Sequence, residues 1–296
     1  MSNSYNNSLE RYKSLFKTQN IILLCIGWAA IALLYFLLFS AKIPGLDGKP
    51  TRPDWYVIGT NIFEAVAYLS ASVLCLRNWR SNQIVSNRKV WLSIGVGMFA
   101  YFIGGIWFGY KEIVLHDESD ISFSDIFFVL TYLCLGIGMV LALFSRRINL
   151  DTTQWLIVAV IGLLGGSLAW WISFSRQQPT IEEANSSVSL LKQLAAIVNT
   201  FYVISDVALL IIASTLLLAF WGGKASLSWR MIAAAAFSLY IADMWYKYAQ
   251  SFTDYKSGDI LEVFWVFSGV LFGMGAVLEH EASLSLKRRT SGRKRT

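Results

Sequence analysis

Histidine occurs only twice in this chain of 296 residues, at His116 and His280. They flank different apolar stretches at opposite membrane faces, so they cannot pair across a haem, which between helices usually takes facing imidazoles. Cysteine occurs three times. Cys25, Cys75 and Cys134 all fall inside apolar runs and read as small packing residues, not as a disulfide framework or metal site. Charge is scarce as well: 15% of residues are Asp, Glu, Lys or Arg, against roughly 25% in a soluble domain. No phosphate loop, zinc-protease helix or nucleophile elbow occurs. Without a visible nucleophile–base pair, the sequence points away from an enzyme and names no catalytic residue, cofactor or resident metal.

What the chain has instead is apolar length. Hydrophobic residues make up 55% of it, and the mean hydropathy is +0.51. A membrane-crossing helix needs about 20 consecutive apolar residues. Eight blocks meet that need: Asn20–Ala41, Trp55–Leu76, Val90–Tyr110, Ser122–Phe144, Thr153–Ser173, Ala195–Trp221, Trp229–Tyr248 and Ile260–Leu278. The expected fold is therefore all-α and polytopic, with eight transmembrane helices. The first block is too long for a secretory signal and follows a polar tail, so no cleaved leader is expected. The eighth block has no lysine, which excludes an opsin-like retinal attachment.

The chain also repeats itself. Trp91–Tyr110 aligns with Trp229–Tyr248 at an offset of 138, with Trp91 on Trp229, Phe99 on Phe237, Trp107 on Trp245 and Tyr110 on Tyr248. The following segment continues at an offset of 137, placing Asp125 on Glu262 and Gly136 on Gly273. Such repeats usually build one pseudo-symmetric body with a shared site. The expected division is a polar tail over 1–19, four-helix repeats over 20–145 and 153–281, and a basic tail over 282–296.

Lys and Arg set the orientation. Arg11, Lys13 and Lys17 precede the first block, and Arg77, Arg80, Arg88 and Lys89 fill the second loop. Arg146, Arg147, Lys224, Arg230 and the tail from Lys287 lie on the same side. By the positive-inside rule that side is cytoplasmic, and with it both termini. The net charge of +6 then says nothing about nucleic acid. The tail Lys287-Arg288-Arg289 with Arg293-Lys294-Arg295 suits anionic lipid at the inner leaflet, with a cytoplasmic or membrane protein partner as the alternative.

Acids within the blocks are the candidate functional groups, because charge inside a membrane is costly. Glu64, Asp125, Asp206, Asp243 and Glu262 all fall in the outer halves of their helices. Asn61, Glu64 and Tyr68 share one helical face, and their repeat mates are Asn199, Tyr202 and Asp206. If the halves pack about a two-fold axis, these faces could meet and a tyrosine could bond the opposing acid. Bland readings stand beside this one. Asp243 and Lys247 have the spacing of an intrahelical ion pair. Asp125, after Ser122 and Ser124, suits a helix cap, and so does Glu262 after Asp259. Glu64 and Asp206 could instead be protonated in a helix contact. Trp107, Trp245 and Trp265 lie near the acids and could wall an apolar pocket. Gly105/Gly109 and Gly269/Gly273 have the spacing of close helix packing. The loop 111–120, with His116, Asp117, Glu118 and Asp120, is a weak cation candidate.

Three segments together carry a likeness: Ser124-Asp125 through Tyr132; Phe201-Tyr202-Val-Ile-Ser205-Asp206; and Ala242-Asp243-Met-Trp-Tyr246 with Glu262-Val-Phe-Trp265. They resemble the eight-helix membrane modules found in front of diguanylate cyclase and histidine kinase domains in bacteria. The resemblance implies a sensory input role in the bacterial inner membrane. Only 18 residues follow Leu278, so no output domain is expected and a partner would carry the signal. The expected function is a receptor-like or regulatory subunit whose pocket is lined by Glu64, Asp206, Asp243, Tyr68, Tyr202, Asn61, Asn199, Asp125 and Glu262. The alternatives are a proton- or cation-coupled small-molecule transporter and a structural subunit of a membrane complex.

Overall fold

A computed structural model describes residues 18–44, 50–116, 121–145, 150–174, 186–221, 226–250 and 255–293. It contains eight α-helices: α1 (Thr18–Phe39), α2 (Asp54–Arg80), α3 (Arg88–Tyr110), α4 (Phe123–Phe144), α5 (Thr152–Phe174), α6 (Ser186–Ala219), α7 (Ser226–Ala249) and α8 (Val263–Arg293). A two-residue hairpin, β1 (Ile43–Pro44) with β2 (Pro50–Thr51), lies between α1 and α2. Successive helices run in opposite directions, so Arg77, Arg80, Arg88, Lys89 and Arg230 collect at one end of the bundle. This is called the basic end below, and the other the far end.

Local signals explain the helix starts. Pro53 precedes α2, with Asp54 in its first turn and Arg77 and Arg80 in its last, each matched to the helix dipole. Asn87 caps α3 by accepting from the Lys89 amide. Ser122 and Asp125 form a reciprocal capping box at the start of α4. At its far end α3 runs into one π-helical turn, Lys111–Leu115, which His116 terminates in the left-handed region at φ 48°.

Six helices close into a ring in the order α2–α3–α4–α6–α7–α8 and back to α2. The two others lie outside it, α1 against α8 and α2, α5 against α6 and α7. Seven of the eight helices are long and apolar enough to cross a membrane; α7 is the exception among the described residues. It carries Arg230, Asp243 and Lys247, and it can, because its neighbours enclose it: Trp229, Ile232, Ala236, Leu239 and Met244 are all buried. The outer surface is the reverse. Leu24 is 71% exposed and Leu163 73%, a surface suited to lipid and not to water. The architecture is that of an all-α, multi-pass membrane protein.

The ring interior differs along its length. Toward the basic end it is filled by Trp91, Ile94, Met98, Leu135, Met139, Leu216, Ile232 and Phe272, none more than 1% exposed. Trp91 and Trp229 meet there with ring centroids 5.7 Å apart, and Phe220 stacks on Trp229 at 5.3 Å. Trp91 Nε1 donates to Ser86 Oγ at 2.8 Å. Polar side chains in this half bond backbone carbonyls across helices: Ser72 to Gly95, Ser228 to Gly275 and Asn78 to Ala276. Gly269 brings α8 close to α2, since a Cβ there would sit 3.0 Å from the Ala67 Cβ.

The far end is capped by polar loops. Arg52 forms an ion pair with Asp259 and donates to the carbonyls of Ser40 and Lys256. Tyr56 donates to the Gly258 carbonyl at 2.7 Å. Gly258 itself sits at φ +103° with the Tyr56 ring against it, so both its conformation and its lack of a side chain are required.

Candidate functional site

Just on the far-end side of the apolar plug, four helices bring a polar network into the ring. Asp206 on α6 is 1% exposed. Its Oδ2 accepts from Lys247 Nζ on α7 at 2.6 Å. The Tyr132 hydroxyl on α4 lies 2.5 Å from Asp206 Oδ1 and 2.6 Å from Asp243 Oδ2. Asp243 Oδ1 accepts from Trp265 Nε1 on α8 at 2.9 Å. Asp243 and Lys247 do lie one turn apart on α7, but the lysine reaches across to α6. Asp206 has no cation within several turns on its own helix, and a neighbouring helix supplies one. The Lys247 ammonium also stands 5.9 Å from the Tyr202 ring centroid, within cation–π range.

Counting hydrogens in this network gives a chemical result. A phenol has one proton to donate, yet the Tyr132 oxygen makes two short contacts to carboxylate oxygens. One contact is satisfied by the phenol. The other is met either by sharing that hydrogen between both carboxylates or by a carboxyl proton donated back to the tyrosine oxygen. Asp206 already faces the Lys247 ammonium, so a carboxyl proton, where present, is expected on Asp243. With that carboxyl proton the chain Asp243–Tyr132–Asp206 would hold two exchangeable protons, the phenol's and the carboxyl's, in a buried site. The expected infrared spectrum contains a protonated-carboxyl carbonyl band that shifts on deuteration and disappears in Asp243→Asn. A carbonyl region identical in the variant and the wild type would show Asp243 to be ionised.

A second group lies beside the first. The Tyr68 and Tyr101 rings stack at 3.7 Å, and the Tyr101 hydroxyl donates to the Glu64 carboxylate. Glu64, Tyr68 and Tyr101 line a cleft between α2 and α3, together with Asn61, Phe102 and Gly105. The cavity itself is small, about 10 Å³, room for a group the size of a water or an ammonium, and it opens to the surface. Tyr68 is fully buried, and its hydroxyl approaches that of Ser268 without either completing a well-formed hydrogen bond. Gly105 is not a packing residue: a Cβ there would meet nothing within 4 Å. Gly109 is one, because Asn61 lies directly against it.

The other sequence candidates are placed as follows. Tyr202 donates to Asp125 Oδ1 at 2.8 Å, on its neighbour α4, and does not reach Glu64. Asp125 also closes its capping box through the Ser122 amide at 2.7 Å. Glu262 is held by its own loop, accepting from the Gly258 amide at 2.6 Å and from the Tyr255 hydroxyl. Burial, then the Glu262 carboxylate, pushes the Tyr255 phenol well above its ordinary range, so it stays a donor. Asn61 donates to the Val57 carbonyl of its own helix at 2.8 Å. Asn199 is exposed on α6, away from the ring interior. Of the three tryptophans, only Trp265 joins the network; Trp107 packs against Tyr110 and Phe123 nearer the surface.

Two central residues had no place among the sequence candidates. Tyr132 could have been found, since it follows Asp125 by seven residues and shares its helical face. Tyr101 carries no such signal. Residues 117–120 lie outside the described residues, as do the side chains of the tail beyond Lys287; among the described residues no cluster of His, Cys, Asp and Glu could hold a metal ion. Lys287 itself donates to the Asn82 carbonyl at 2.6 Å. No protein-family model, curated protein or solved structure matches this chain.

Proposed function

We propose that this protein is a receptor-like or regulatory subunit of a bacterial inner membrane. It has eight spans, α7 included, and both termini are cytoplasmic, which makes the basic end the inner one. The acid–tyrosine network in the outer half senses a proton, a cation or a small amphiphile. The change in ring packing is read by a partner protein at the basic end.

The observation that carries this reading is the Asp206–Tyr132–Asp243–Lys247 network. Ionisable groups buried in a membrane are costly and mark functional sites. Their partners come from four ring helices, so any change in protonation or ligation is felt as a change in helix packing. The apolar plug around Trp91 and Trp229 supports sensing over transport, because it fills the ring between the network and the basic end, with the buried Glu279 standing on the other side of it.

The ring also agrees with two halves on one plan. Its order, α2–α3–α4 then α6–α7–α8, maps onto itself when each half takes the other's place. Trp91 and Trp229, which are repeat mates, touch each other, as residues on either side of a two-fold axis do. The outer helices break the pattern: α1 lies on α8 and α2, but α5 lies on α6 and α7. The runner-up, a proton- or cation-coupled small-molecule transporter, draws on the same repeat and on the buried carboxyl groups bonded to Tyr132.

Spin labels separate the two readings. With Cys25, Cys75 and Cys134 replaced, labels at Gln83 and Leu227 report the basic ends of α2 and α7. Their separation is expected to change on acidification or cation addition in the wild type, and not in Asp243→Asn. Constant separation, together with solute accumulation in proteoliposomes, would establish transport in place of sensing.

A further inference from the structure

We propose that the cleft between α2 and α3 binds the protonated amine of an alkylammonium amphiphile, with Glu64 as its counter-ion. This deepens the sensory reading and rests on it, by naming the ligand class for the Glu64 half of the network.

The internal repeat supplies the argument. At the offset of 138, Gly105 is the mate of Asp243, Gly109 of Lys247, Glu64 of Tyr202 and Tyr68 of Asp206. The second half of the chain fills its own site. Asp243 occupies the space, and the Lys247 ammonium neutralises Asp206 at 2.6 Å. The first half has the acid without the cation. A glycine stands where the second half has its lysine, and another glycine, with nothing within 4 Å, stands where it has the aspartate. The result is a cleft that offers a carboxylate with no described cationic partner. An ammonium from outside the chain would complete it as Lys247 completes the other.

The lining suits that group. Glu64 gives a charged acceptor, and charge-assisted hydrogen bonds are the strong ones. The fully buried Tyr68 hydroxyl has no partner and lines the same cleft. It can accept a second ammonium hydrogen. Tyr101 and Phe102 supply aromatic walls, which attract cations through the ring face. An anion would meet Glu64 head-on, and a neutral alcohol would leave the carboxylate without a counter-charge.

The mouth selects the tail. Glu64 lies ten residues into α2, about 15 Å from the far end of that helix, close to the middle of a hydrocarbon layer about 30 Å thick. Ile62 and Val66 beside it on α2, and Ile106 beside Gly105 on α3, are exposed on the surface. A ligand with its amine at Glu64 would therefore leave its alkyl chain along this apolar surface among the lipids.

The test uses a long-chain primary alkylamine and the alcohol of the same chain length, titrated into the full protein in detergent while thermal unfolding is followed. The amine is expected to stabilise the wild type saturably, and the alcohol to have no such effect. In Glu64→Gln the amine should bind about tenfold more weakly or worse, the loss expected for one charged hydrogen bond. Gly105→Leu should abolish the effect by filling the cleft without changing its charge. Gly105→Ala serves as a milder filling if the leucine variant melts early without ligand. Equal stabilisation by amine and alcohol would overturn the proposal, as would an amine effect that survives both Glu64→Gln and the glycine variants. If the amine fails while the spin-label response to pH persists, the sensory reading stands and only the ligand class falls.

Discussion

Asp206→Asn, with Lys247 left in place, is expected to lower stability by about 3–5 kcal/mol, the cost of breaking a buried ion pair from one side. The reason is what remains. The Lys247 ammonium is largely buried among α6, α7 and the Tyr202 ring, where an asparagine oxygen offers it a partial charge in place of a full one. The Tyr132 hydroxyl is left with Asp243 as its one remaining carboxylate acceptor. Lys247→Met should do less harm, because the abandoned carboxyl can take up a proton while the ammonium in the first variant has no equally easy escape. The double variant Asp206→Asn with Lys247→Met should recover most of the loss, since a buried pair replaced as a unit often costs little. Thermal unfolding of the four proteins in one detergent measures the cycle. A double variant as unstable as the sum of its parts would show that the pair is not a unit.

The second large effect is expected at the plug. Trp91→Ala should cost about 3–5 kcal/mol, the range for truncating a large buried aromatic residue. Trp91 is fully buried, lies against Trp229 and donates to Ser86, so little nearby can collapse into the space. Trp91→Phe keeps the ring contact and loses only the indole donor and some volume, so it should fall well short of the alanine variant. The functional effect follows from position. The plug separates the buried proton site from the basic end, and proteoliposomes carrying Trp91→Ala are expected to dissipate a pH gradient that the wild type holds. A tight membrane with the alanine variant would mean that the barrier lies elsewhere along the ring.

Much of this was legible in the sequence, and the reasons for the rest are physical. Helices are written in local residues: apolar length throughout, and Ser122 ahead of Asp125 at the start of α4. Each of these speaks for itself without knowledge of the fold. The acids were legible as a set, because charge stands out against an apolar background. Their partners were not. Lys247 sits one turn after Asp243, and spacing along one helix suggested that pair; the observed partner is 41 residues away on α6, a contact that depends on helix packing. The same limit applies to Tyr202, whose acceptor is Asp125 on the adjacent helix and not Glu64 across the ring. Asn199 is exposed on α6 where Asn61 is half-buried on α2, since spacing along a helix does not fix how that helix is rotated in the bundle. Gly105 shows the limit most clearly: the spacing that suggests a packing groove is also the spacing that opens a cleft, and only the neighbours decide which.

On the eight-span reading proposed above, the enclosure of α7 has a consequence for how the chain enters its membrane. A helix with Arg230, Asp243 and Lys247 partitions poorly by itself, since each such charge costs roughly 2.5–3.5 kcal/mol near the centre of a span. Its arrival therefore depends on earlier segments. Asp206 emerges from the ribosome before Lys247, so the counter-ion already stands in α6 when the lysine needs it. The pair that holds the finished ring together would then also serve as a chaperone within the chain, lowering the barrier to lateral release of α7 from the translocon.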